Sequence, residues 1–62
     1  MRLSVRIAMW KEFVSGRIRY WKFAEQVAER TGLIDEVPYC AWKRVQFEEV
    51  LECLETMQSL AG

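Results

Sequence analysis

The chain has no histidine, two cysteines, one proline and three glycines in its 62 residues. Each scarcity excludes something. Without histidine and with only two thiols, a four-ligand zinc site has no donor set, so no metal is expected. The side chain that most often serves as a general base near neutral pH is also missing. Cys40 and Cys53 lie thirteen positions apart, and both fall within one helical pattern. That separates them by about 20 Å along the axis, well beyond the reach of a disulfide. Both are expected to be reduced thiols, as in cytoplasmic proteins. No apolar run approaches the roughly 18 residues of a membrane span, and no secretory leader pattern is visible.

Apolar and aromatic side chains, by contrast, are plentiful. They make up 52% of the chain, including three Trp, two Tyr and three Phe. A domain this small buries only about 60% of its unfolded surface and usually needs a disulfide, a metal or a second subunit to be stable. The first two are excluded above, which leaves oligomerisation.

Net charge is zero, but it is unevenly placed. Residues 1–31 hold seven cations against three carboxylates, and residues 32–62 hold two against six. Either the two halves pack on each other or on a second copy, or a basic binding face is joined to an acidic, dimer-forming tail.

Helical periodicity runs through most of the chain. Met1, Leu3, Val5 and Ile7 alternate with polar residues as a strand would, but the longer window is helical. Leu3, Ile7, Trp10, Val14, Ile18, Trp21, Ala24 and Ala28 form one stripe. Val5, Met9, Phe13, Tyr20, Phe23 and Val27 form a second, roughly 140° away. A helix with two apolar faces requires two neighbours. Ser15-Gly16 is read as an αL stop dividing this segment into helices of about 4–15 and 17–31. The competing reading is one helix of about 28 residues, with Gly16 as a small contact on the second stripe. Thr31-Gly32 ends the segment, with Leu33 placed for the apolar contact that accompanies a glycine cap. A third helix is expected over 38–60, capped by Asp35 or started at Pro38 and ended by Ala61-Gly62. It gathers Tyr39, Cys40, Phe47, Val50, Leu51, Leu54 and Met57 on one face and Glu48, Glu52, Glu55 and Ser59 on the other. Trp42, Cys53 and Leu60 form a lesser ridge. One neighbour should satisfy this helix.

Catalytic chemistry finds few candidates. The run Glu48, Glu49, Glu52 and Glu55 reads as a solvated face rather than an acid/base pair. Cys40 near a helix start could carry a lowered pKa as a nucleophile, although a small buried core thiol is the simpler reading. No glycine-rich phosphate loop is present. The expectation is no enzyme and no cofactor.

The stretch Phe23-Ala24-Glu25-Gln26-Val27-Ala28-Glu29-Arg30-Thr31-Gly32-Leu33 resembles the first helix and turn of helix-turn-helix regulators, with Ala28 against the partner helix and Gly32 in the turn. It is also similar to the N-terminal helical hairpin of the histone-like bacterial DNA-bending proteins. The resemblance covers about twenty residues and implies a nucleic-acid ligand. The chain departs from it at Pro38, where a recognition helix carries a β-branched residue, and it has no counterpart of the DNA-bending β-arm. It also lacks the basic excess usual in DNA binders. In Arg17-Ile18-Arg19-Tyr20-Trp21-Lys22-Phe23 cations and rings alternate, which suits stacking or an anionic surface, although the rings fall on the two stripes already described.

The reading that follows is an all-α bundle of two or three helices, completed by a second copy. Leu3, Ile7, Trp10, Val14, Trp21, Val27, Val50, Leu51 and Leu54 would form the shared core. Function is expected to be non-enzymatic: a cytoplasmic regulator or adaptor, such as an inhibitor or accessory subunit, binding a protein partner through Trp10, Phe13, Arg17, Tyr20 and Trp42. The alternative is a dimeric helix-turn-helix-like DNA binder using Arg17, Arg30, Lys43 and Arg44. The surplus apolar surface is placed in residues 3–28.

Overall fold

A computed structural model describes residues 2–61. Two helices, α1 (Leu3–Thr31) and α2 (Glu36–Ala61), form a hairpin. Met1, in the alternating opening, and Gly62, the expected final stop, lie outside the described residues.

The expected break at Ser15-Gly16 does not occur. α1 runs unbroken through Gly16 for 29 residues, about 43 Å at 1.5 Å per residue. An αL stop requires a left-handed glycine, and among the described residues only Gly32 has a positive φ. Glycine inside a helix costs about 1 kcal/mol, and the packing on either side of Gly16 offsets that. The competing single-helix reading is the correct one.

The stop at Gly32 is as the sequence indicates. Gly32 has φ 77°, its N–H reaches the Glu29 carbonyl, and the Leu33 N–H reaches the Ala28 carbonyl at 2.9 Å. These two bonds satisfy carbonyls that the end of a helix otherwise leaves free. Arg30 in the last turn complements the helix dipole. The chain re-enters a helix two residues earlier than expected. The Glu36 and Val37 N–H groups bond to the Leu33 and Ile34 carbonyls. Pro38 therefore sits in the first turn of α2, where its missing N–H leaves nothing unpaired.

The helices run antiparallel along a body of 45 × 15 × 11 Å. Lys11 Nζ donates to Gln58 Oε1 at 2.8 Å, and Arg44 Nε to Glu25 Oε2 at 3.3 Å. These pairs span loops of very different length, so they fix one register along the hairpin. The arrangement is a lengthwise hairpin rather than a short recognition helix crossing its support.

The core is small. Ile7, Val14, Ile18 and Ala28 of α1 and Cys40 and Leu54 of α2 are buried, with Phe47 and Leu51 packed against them. They belong to the first stripe of α1 and to the middle of the expected face of α2. Other members of those sets are not covered. Leu3, Trp10, Val27 and Val50 of the expected shared core are exposed in the single chain, as are Tyr39 and Met57. On α2 the contact centres near Cys40, Leu51 and Leu54. Tyr39, Val50 and Met57 lie about 70–95° around from that centre, at the rim of the contact. One neighbour therefore does not satisfy α2, and the surplus is wider than residues 3–28.

Candidate protein-binding surface

The hairpin has two unlike sides. On one, polar groups from both helices meet. Arg44 bridges Glu25 of α1 and Glu48 of its own helix, at 3.3 and 3.1 Å. Lys22, Gln26 and Glu29 surround this bridge. α1 contributes polar residues here because its arc from Lys11 through Ser15, Arg19, Lys22 and Gln26 is the one stretch of its circumference without a large apolar side chain.

The other side is built of rings and cations. Tyr20 and Trp21 meet edge to face at 5.0 Å between centroids, and Trp21 and Tyr39 do so across the helices at 5.8 Å. Tyr39 continues to Trp42 at 6.3 Å. Arg17 lies over the Tyr20 ring at 5.4 Å and the Phe47 ring at 5.9 Å, tying α1 to α2. Lys43 lies over Tyr39 and Trp42 at 5.8 and 5.6 Å. The result is a continuous ladder, Phe47–Arg17–Tyr20–Trp21–Tyr39–Lys43–Trp42. Edge-to-face rings contribute about 0.5–1.5 kcal/mol beyond the area they bury, and exposed cation–π contacts about 0.5–1. The ladder is thus held in place by contacts within the chain. Trp21 is its inner member. Its Nε1 is buried without a hydrogen-bond acceptor.

Beside the ladder a groove of about 610 Å³ runs along α2, with Phe47, Val50, Leu54 and Met57 as its apolar lining and Lys43 at one end. The thiol of Cys53 opens onto it, while Cys40 is buried. Both are free, consistent with their separation on one helix.

Of the residues singled out from the sequence, Arg17, Tyr20 and Trp42 come together in the ladder. Trp10 and Phe13 do not join it. Both precede Arg17 on α1, Phe13 by one turn and Trp10 by two, and the ring and cation contacts of the ladder begin at Arg17. All five are exposed. The nucleic-acid set diverges. Lys43 is in the ladder, whereas Arg44 is 100° around α2 and occupied by two carboxylates. Arg30 is at the far end of α1. Sequence reasoning missed Tyr39 and Phe47 as companions of Arg17 and grouped Lys43 with it only for nucleic acid, because their meeting depends on the register between helices. The alternation of rings and cations in residues 17–23 was the available signal.

No group of three or more metal-ligating side chains converges among the described residues, and no described helix is long and apolar enough to cross a membrane. Comparison with protein-family models, curated proteins and solved structures returns no match.

Proposed function

We propose that the chain is a small non-enzymatic binding protein, a regulator or adaptor, that docks a protein partner on the ladder side of the hairpin. The observation that carries this reading is the ladder itself: aromatic rings and two cations, pre-ordered and half-exposed, beside an open apolar groove. Trp, Tyr and Arg supply most of the energy in protein interfaces when a partner covers them. Rings held in one conformation also lose little entropy on docking. Arg17 and Lys43 favour a partner helix that sets carboxylates beside an apolar stripe. In this reading the cell compartment is the cytoplasm, as the free thiols suggest, and a second copy completes the bundle.

The test is affinity capture from native lysate with the immobilised chain and three variants of it, followed by measurement of the purified pair. Trp42→Ala and Arg17→Ala should each weaken the complex at least tenfold, while Arg44→Ala, on the polar side, should leave it within about twofold. Equal loss in all three would refute a sided surface. Binding of duplex DNA that falls steeply with salt and depends on Lys43 would replace this reading with a nucleic-acid one.

A further inference from the structure

The second stripe of α1 is separate from the ladder for most of its length. It lies about 150° around α1 from the contact with α2, so α2 does not cover it. Val5, Met9, Phe13, Tyr20, Phe23 and Val27 are all exposed, Phe13 and Phe23 by 65% and 63%. With Gly16 included, Met9, Phe13, Gly16, Tyr20, Phe23 and Val27 follow one another at intervals of four, three, four, three and four. That is the seam of a two-stranded coiled coil, with Phe13, Tyr20 and Val27 at a positions and Met9, Gly16 and Phe23 at d. A helix in contact with α2 alone has no use for it.

We propose that the occupant of this seam is a second copy of the chain, with α1 pairing in parallel and in register with α1 of the partner. The inference rests on the reading of the chain as a binding protein and assigns the self-associating face; Arg17 and Tyr20 are common to it and the ladder, and Tyr39, Lys43 and Trp42 are left for a different partner. Three observations support it.

Gly16 is the first. A Cβ added there would meet only the tip of Arg19 at 3.8 Å, so nothing within the hairpin requires glycine. On the seam it lies between the rings of Phe13 and Tyr20 and leaves room for the same rings of a partner.

Area is the second. The chain exposes 4839 Å², against about 4,200 Å² for a compact monomer of its mass. The excess, about 600 Å², is close to the roughly 800 Å² that each partner contributes to a standard interface.

Charge is the third, and it selects the orientation. The seam is flanked by Trp10, Arg17 and Ala24 at e positions and by Glu12, Arg19 and Gln26 at g. Side by side in parallel, a g residue faces the e residue five positions further along the partner. Glu12 then meets Arg17 of the partner, twice by symmetry, and Arg19 meets Ala24. No like charges are opposed. The antiparallel alignment that fills every seam layer instead sets Arg17 against Arg17 and Arg19 against Arg19. Glu12 is exposed and makes no salt bridge among the described residues, so it is available for the pairing.

The experiment is mass in solution by sedimentation equilibrium, from micromolar to millimolar chain. The expected species is twice the 7.4 kDa chain. Phe23→Ser, at an exposed position, should raise the dissociation constant about a hundredfold or more while leaving helicity unchanged. Glu12→Arg and Arg17→Glu should each weaken the dimer about fivefold, and the double swap should restore it to within about twofold. A monomer throughout, no restoration by the double swap, or loss with Trp42→Ala but not Phe23→Ser would overturn the proposal. So would a monomer whose stripe instead binds vesicles of anionic lipid and is released by Phe23→Ser. Failure of the dimer is distinct from failure of the binding reading, because capture through Trp42 is measured separately.

Discussion

The two stripes of α1 occupy the same backbone and meet opposite environments. The inward one buries Ile7, Val14, Ile18 and Ala28 against α2. The outward one leaves Met9, Phe13, Tyr20, Phe23 and Val27 exposed, Tyr20 alone among them touching the ladder. The inward stripe also holds Trp10 and Trp21, yet three further rings, Phe13, Tyr20 and Phe23, are on the outside. A helix that had only α2 to satisfy would gain most by turning its rings inward, since burial contributes about 25 cal/mol per Å² of apolar area. The arrangement makes sense if the inward stripe specifies the hairpin and the outward one specifies an assembly.

The largest expected effect tests that division. Ile7 is fully buried, and truncating a buried Ile to Ala costs about 2–5 kcal/mol. The whole stability of so small a domain is of that order. Ile7→Ala should therefore lose most of its helical circular dichroism at 25 °C. Phe23→Ala, a larger truncation, should change the urea midpoint of the dilute, dissociated hairpin by no more than about 0.5 kcal/mol equivalent. Equal costs at the two positions would mean that the stripes do not differ in the way their exposure indicates.

Much of this division is legible in the sequence. The two stripes are visible in a helical projection, and so are the stop at Gly32 and the long acidic helix that follows. What is not legible depends on distance in three dimensions. Whether Gly16 ends a helix or lies within one turns on a backbone angle that residue type leaves open, because glycine adopts either form. The ladder needs the register of α2 against α1, and that register follows from which of several apolar residues on α2 reaches the contact first. Val50 and Met57 have much the same hydrophobic character as Leu51 and Leu54, and the ring of Tyr39 is large and mostly apolar. Only their angle places them at the rim. Four of the exposed rings, Trp10, Phe13, Tyr20 and Trp42, could be named from the sequence, Phe23 and Tyr39 were not, and the contacts among Arg17, Tyr39, Lys43 and Phe47 could not be.

A smaller change sharpens the comparison at Gly16. Alanine is favoured over glycine in a helix interior by about 1 kcal/mol, and the space beside Gly16 is open apart from Arg19. In a chain held monomeric by Phe23→Ser, Gly16→Ala should raise stability to urea by about 0.5–1 kcal/mol. A loss instead would show that the glycine has a role inside the hairpin, and that would remove one support of the seam.

The smallest effect is expected where the hairpin looks most elaborately bonded. Arg44 joins α2 to Glu25 of α1 and to Glu48 one turn along its own helix. Its side chain keeps 25% of its accessible surface and that of Glu25 keeps 22%, so water still screens the pair, and partly exposed ion pairs contribute about 0–1 kcal/mol. Arg44→Ala should cost about 0.5 kcal/mol in low salt and less at 1 M, where the screening length falls to about 3 Å. A salt-independent cost several times larger would make the polar side part of what holds the helices together. The weight given to the apolar stripe would then have to be shared with it. A small, salt-sensitive cost leaves the polar side as the solvated back of a molecule whose proposed binding surfaces are the ladder and the seam.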